Sequence, residues 1–113
     1  MKQIIAVIKP HRLEPVAQAL MLLDNHPGFT LFQAHGHQRG PGPHHADVAD
    51  EWQPVAHDNL VLMIYCDDSH AQQVVETIRT AAHTGNPGDG LIAVSDVTSI
   101  VRIRTGARDD DAV

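Results

Sequence analysis

Short apolar runs along the chain alternate with stretches in which apolar positions recur every three or four residues. Residues 3–8 (QIIAVI) are a β-branched run closed by Lys9-Pro10 and predict a buried strand. Leu13, Val16, Leu20 and Leu23 then fall on one side of a helix, which tolerates Pro15 because that residue lies in the first turn. The helix is expected to end near Asn25, with His26-Pro27-Gly28 turning the chain into a second strand over 29–34. Residues 60–66 (LVLMIYC) are unbroken in their apolar character, the mark of a central strand. Ser69-His70-Ala71-Gln72 reads as a capping box, and Ala71, Val74, Val75 and Ile78 supply the stripe of a second helix. Residues 91–94 and 100–104 complete the strands, joined through 95–99 by a bend or a short break.

This order predicts an α+β fold, a ferredoxin-like βαββαβ sandwich in which one antiparallel sheet carries both helices on one face. Between residues 35 and 58 the period is lost among proline, glycine, histidine and acidic residues, so a long loop is expected over 37–58, of the kind that is either functional or disordered. The tail, 109–113, is expected to be mobile or engaged at a subunit boundary.

Composition narrows the picture. A chain of 113 residues with 42% hydrophobic content reads as one domain over 1–113 with one core. A formal charge of −6 excludes nucleic-acid or anionic-membrane binding through bulk charge. With Cys66 the only cysteine, no internal disulfide forms, and no apolar run is long enough for a signal peptide or a membrane span. A cytoplasmic protein without direct membrane insertion is expected.

Candidate chemistry gathers near the end. The loop over 84–91 (TGNPGDGL) has three glycines, which permit positive φ and leave room for peptide N–H groups to close around an anion such as phosphate. If 100–104 is a strand, Arg102 and Arg104 share one face while Val101 and Ile103 enter the core, and the paired guanidiniums can clamp an anion. A plain turn followed by an edge strand with solvated arginines fits the same spacing, since the loop matches neither the P-loop nor the dinucleotide fingerprint. No set of nucleophile, base and acid can be placed in one cleft, and Cys66 ends an apolar strand, so an enzyme is not expected.

TGNPGDGLIAV (84–94), followed by VRIRTG (101–106) and an acidic tail, resembles the C-terminal signature of the PII family, trimeric signal-transduction proteins known as nitrogen regulators. MKQIIAVIKPHRLEPV (1–16) resembles the family's N-terminus, and the resemblance weakens mainly in the middle of the chain. It implies a PII-like homotrimer that binds ATP, ADP or AMP in clefts between neighbouring subunits. Its long loop, the T-loop, would then signal to a protein partner, either a transporter or an enzyme. Matched motif to motif, the resemblance places Gly88, Asp89 and Gly90 on the phosphate-binding turn with Leu91 beside it, and Arg102 and Arg104 on the phosphates. It places Thr30 and Ile64 along the adenine and ribose, and Gly36, His37, Gln38 and Arg39 at the root of the long loop.

Departures from the family pattern shift these expectations. Leu91 stands where a lysine is common, which favours ADP or AMP over ATP. Gln38-Arg39 reverses a familiar order, and an acidic residue at Asp58, near where a lysine would close on 2-oxoglutarate, opposes a dicarboxylate. The loop has no tyrosine to accept uridylylation.

The loop is instead rich in histidine. His35, His37, His44 and His45 are candidate ligands for zinc, copper or nickel, which neutral imidazole suits. The alternative reading is thus a metal-binding or metal-responsive trimer linked to heavy-metal homeostasis, with a metal efflux pump as partner. A polar loop with solvated histidines fits equally, because the spacing matches no structural zinc pattern.

Overall fold

The computed structural model describes residues 1–36 and 58–113. Strands β1 (Lys2–Ile8), β2 (Thr30–His35), β3 (Asp58–Cys66) and β4 (Leu91–Asp96) form one sheet in the order β2-β3-β1-β4, every pairing antiparallel. Helices α1 (Leu13–Met21) and α2 (Asp68–Ala82) make the connections, giving the expected ferredoxin-like βαββαβ order.

Register explains the core. Ile4, Ala6 and Ile8 of β1 stand opposite Ile64, Leu62 and Leu60 of β3, and all six are buried in one cluster with Val16 and Leu20 of α1 and Val74 and Ile78 of α2. The strand period of two and the helix period of 3.6 therefore meet on one side of the sheet. The long apolar run of β3 is central, as its composition implies. The two helices are tied at one end, where the Arg12 guanidinium donates to the Ala81 carbonyl, a last-turn acceptor of α2, at 2.6 and 3.1 Å.

On the opposite side, Ile5, Val7, Phe32, Met63 and Leu91 share the other parity of the register. No described helix covers them, and Phe32 and Leu91 are 47% and 61% exposed.

Two expectations are corrected at element ends. The cap of α2 is Asp67 rather than a box opening at Ser69: its carboxylate accepts the His70 N–H at 3.0 Å. The last strand is β4 alone, which runs on to Asp96, and residues 100–104 are not a strand.

Candidate functional site

The glycine loop is organised from within by one carboxylate. Asp89 accepts the N–H of Thr84 at 2.8 Å and of Gly85 at 3.0 Å, takes the Thr84 hydroxyl as well, and meets the Lys9 ammonium at 3.3 Å. The Thr84 hydroxyl, then the Thr84 and Gly85 N–H groups and Lys9, hold its carboxyl well below the usual carboxylate range. The Asn86 N–H is also used internally, on the Thr84 hydroxyl oxygen at 3.1 Å. The expectation that the whole loop turns its amides toward an anion is thereby corrected. The amides of residues 84–86 serve the loop itself.

Gly90 has no freedom to be anything else. Its φ is +101°, and a Cβ would lie 1.7 Å from the carbonyl oxygen of Val7, so the loop backbone lies directly on the end of β1.

Because Asp89 titrates lower in the folded chain than in the unfolded one, its stabilising contribution is complete above the ordinary carboxylate range, about pH 4. It is lost as pH falls below that range. Asp89→Asn is accordingly expected to be less stable than the parent at pH 7, with the difference narrowing between about pH 5 and pH 2. Thermal unfolding across that interval checks this, and a difference that stays constant would contradict it.

The arginine segment differs from its expected form. Residues 100–109 make a small hairpin: Val101 bridges Arg108, the Arg102 N–H donates to the Ala107 carbonyl at 2.8 Å, and the Gly106 N–H donates to the Arg102 carbonyl at 2.8 Å. Gly106 at φ +73° and Asp109 at φ 56° close it, and Asp109 exchanges bonds with the backbone of Ile100. Val101 and Ile103 do not enter the core, for Val101 is 46% exposed and Ile103 wholly so. Four alternating residues carry the strand period, yet among the described residues no neighbouring strand takes their backbone bonds, and the local turn wins. Arg102 remains held, its Nε–H donating to the Ala112 carbonyl at 2.6 Å, while Arg104 is exposed on the turn.

The expected site residues sort to two ends of the sheet. At the Ile8 end of β1 lie Lys9, the glycine loop, Leu91 opposite Val7, and Gly36 just beyond β2. A cavity of about 370 Å³ opens there, lined by Val7, Asp89, Gly90 and Leu91 together with Arg79 and His83 of α2 and its end. Toward the Lys2 end, a cavity of about 470 Å³ gathers Gly28, Thr30, Met63, Tyr65 and Arg102. Seven residues of β1 separate these ends, roughly 20 Å of strand, so the glycine turn does not meet Arg102 or Arg104 within one chain.

Ile64 is corrected individually. Its side chain is fully buried on the helix side of the sheet and offers nothing to a ligand. The pairing of β2 with β3 stops at Met63, however, so among the described residues no strand lies along that edge of β3 beside Ile64. Any contact there falls to the backbone. His37, Gln38 and Arg39 lie outside the described residues.

The proposed metal ligands fare similarly. His44 and His45, like His37, lie outside the described residues, and His35 ends β2 with its Nδ1 at 2.8 Å from the Asp58 carboxylate across the sheet. Among the described residues no group of three or more histidine, cysteine or acidic side chains is placed to hold a metal ion. Cys66 is buried, which pushes its thiol pKa up and suits a core residue rather than a nucleophile. No helix among the described residues is long and apolar enough to cross a membrane.

Two residues escaped the sequence reading. Lys9 was legible only as a strand terminator, although a lysine just after a strand that abuts a Gly-Asp-Gly turn is a natural partner for that aspartate. Tyr65 reads in the sequence only as part of an apolar run, yet its odd parity with Met63 puts it on the side of the sheet away from the helices.

The model of the family described as Nitrogen regulatory protein P-II matches residues 1–107. Relatives named Nitrogen regulatory protein P-II are similar over the full length of both chains, at 36% identity in Azospirillum brasilense and 38% in Rhizobium meliloti. A Nitrogen regulatory protein P-II 2 of Methanothermobacter thermautotrophicus is 36% identical over all of this chain and 97% of its own. With the sheet order, the glycine turn and the arginine hairpin in place, the chain belongs to the nitrogen regulatory protein P-II family of signal-transduction regulators.

Proposed function

We propose that this protein is a regulatory homotrimer that reads adenine nucleotides in clefts between its subunits and reports the result to a protein partner, a transporter or an enzyme. The observation that carries this reading is the separation of the site into halves. One end of the chain has the glycine turn, with Arg79 of α2 near it but neither Arg102 nor Arg104, and the other has Arg102 beside an open cavity without the glycine turn. Head-to-tail contact between copies brings one end of each subunit to the other end of the next, completing one site per interface. The uncovered apolar parity of the sheet, with Phe32 and Leu91 exposed, supplies surface for that contact.

The charges at the turn favour a short phosphate chain. Lys9 and His83 already face Asp89, Arg79 faces Glu76 at 3.7 Å, and Leu91 brings no cation, so the outer phosphate of ATP gains little there and ADP or AMP is preferred. Signalling then requires that nucleotide bind one arrangement of the segment following Gly36 more tightly than another.

Subunit mixing tests this. Leu91→Glu places a carboxylate at the turn, and Arg102→Ala removes a cation from the other half, so each pure variant is expected to lose nucleotide binding. Random re-assembly of the two should restore about a quarter of the sites, those pairing an intact turn with an intact arginine end. Isothermal titration with ADP before and after mixing measures it. No recovery in mixed trimers would overturn a shared site.

A further inference from the structure

We infer that the turn following the arginine hairpin, Asp109–Ala112, is a positioning element whose Ala112 carbonyl presets the Arg102 guanidinium for phosphate, an inference that rests on the adenine-nucleotide reading above. The sequence reads this tail as mobile or engaged at a subunit boundary, whereas the structure folds it back on its own chain. Asp109 at φ 56° reverses the direction, its N–H donates to the Ile100 carbonyl at 2.8 Å, and its carboxylate accepts the Ile100 N–H at 3.3 Å. The Asp111 N–H then donates to the Arg108 carbonyl at 3.2 Å, and Ala112 is 3% exposed, so the turn ends on a buried methyl group.

What that methyl anchors is a carbonyl. The Ala112 oxygen accepts the Arg102 Nε–H at 2.6 Å, between residues ten positions apart. Arg102 is exposed, and an exposed arginine ordinarily gives up much rotamer freedom when it grips a ligand. Here that ordering precedes the ligand. The Arg102 backbone is tied to Ala107 and Gly106 within the hairpin, and a bond at Nε, where the guanidinium joins its stem, fixes both stem and plane. Among the described residues nothing holds Arg104 in this way, so the two arginines are not equivalent.

The donors left over decide the chemistry. With Nε–H engaged, the two Nη groups are unused among the described residues, and they form a fork that can meet two oxygens of one phosphate. A carbonyl also orients the guanidinium without neutralising it. The tail has three carboxylates within reach of such a task, yet among the described residues none of Asp109, Asp110 and Asp111 pairs with Arg102. Arg102 and Val113 both line the cavities of about 470 and 890 Å³, which makes the tail part of the wall beside the arginine. Removing the tail therefore leaves the charge of Arg102 in place and takes away its preset direction.

The test measures ADP affinity on the assembled protein for the parent, for a chain shortened to end at Asp111, and for Arg102→Lys with and without that truncation. Truncation is expected to weaken ADP about three- to tenfold, the effect of having to immobilise one long side chain on binding. Ala112→Glu cannot bury its side chain where the methyl lies, and it should match the truncation without shortening the chain. In the Arg102→Lys background, which keeps the charge but has no Nε–H for the carbonyl to hold, truncation should change affinity by less than about twofold. Proton–nitrogen NMR spectra add a readout on the intact chain. The Arg102 Nε–H, assigned by its disappearance in Arg102→Lys, should exchange slowly with water in the ligand-free parent and rapidly after truncation.

A truncated chain that binds ADP as the parent does, a truncation that weakens Arg102→Lys as much as it weakens the parent, or a rapidly exchanging Arg102 Nε–H in the parent would each overturn the inference while leaving nucleotide binding intact. Absence of ADP binding to the parent protein would instead remove the adenine-nucleotide reading, and this inference with it.

Discussion

Replacing Gly90 with alanine is expected to destabilise the fold by about 3 to 5 kcal/mol, a large share of the roughly 5 to 15 kcal/mol available to a domain of this kind. Two effects combine. The residue sits at φ +101°, where a side chain is strained, and the new methyl would lie 1.7 Å from the Val7 carbonyl oxygen and 2.8 Å from its carbon. Neither atom can yield easily, because Val7 is paired with Leu91 on one side and Val61 on the other. Relief would have to come from breaking the β1–β4 ladder at its first rung, which also displaces Asp89 and the turn it organises.

Two other glycines calibrate the effect. Gly106 has φ +73° but open space around it, so Gly106→Ala should lose only the conformational part, about 1 kcal/mol. Gly28 has neither constraint, and Gly28→Ala should fall within about 0.5 kcal/mol of the parent. Urea unfolding of the three variants measures the order, and a Gly90→Ala protein as stable as Gly28→Ala would show that the loop does not rest on β1 in this way.

The second large effect separates core from site. Ile64→Ala is expected to lower stability by about 2 to 5 kcal/mol, since a fully buried side chain packed between sheet and helices leaves a cavity its neighbours fill only partly. Its effect on ADP affinity, measured where the variant remains folded, should be small. A selective loss of affinity with unchanged stability would mean that the side chain, and not only the backbone of Ile64, meets the ligand.

Much of the fold is legible because its signals are periodic. The β-branched run of β1, the apolar run of β3 and the stripes of Val16 and Leu20, and of Val74 and Ile78, each repeat at the spacing of the element they form. Where the period is shared by two structures, reading fails. VRIR alternates like a strand, but a strand needs a partner, and hydrogen bonds from Gly106 and Asp109 offer the backbone a closer one. Ser69 has the composition of a cap, yet Asp67 reaches the first turn sooner.

The candidate site was legible as residue types and motif order, which carry the family resemblance, but not as an arrangement. Asp89 looks like a ligand contact in the sequence and proves to be the knot that closes its own loop. Glycine spacing cannot reveal that, because the competition between an internal carboxylate and an external phosphate for the same N–H groups is settled by distance.

From its order of residues alone this protein has the apolar runs of β1 and β3, the stripes of its two helices and the glycine turn, since each of these signals lies within a few neighbouring positions. The tertiary structure alone decided that Ile64 faces the helices, that Tyr65 faces away from them beside Arg102, and that the turn and the arginines stand at opposite ends of the sheet. Those facts depend on register and strand direction, and both are set by which long-range pairings bury the most apolar surface at once.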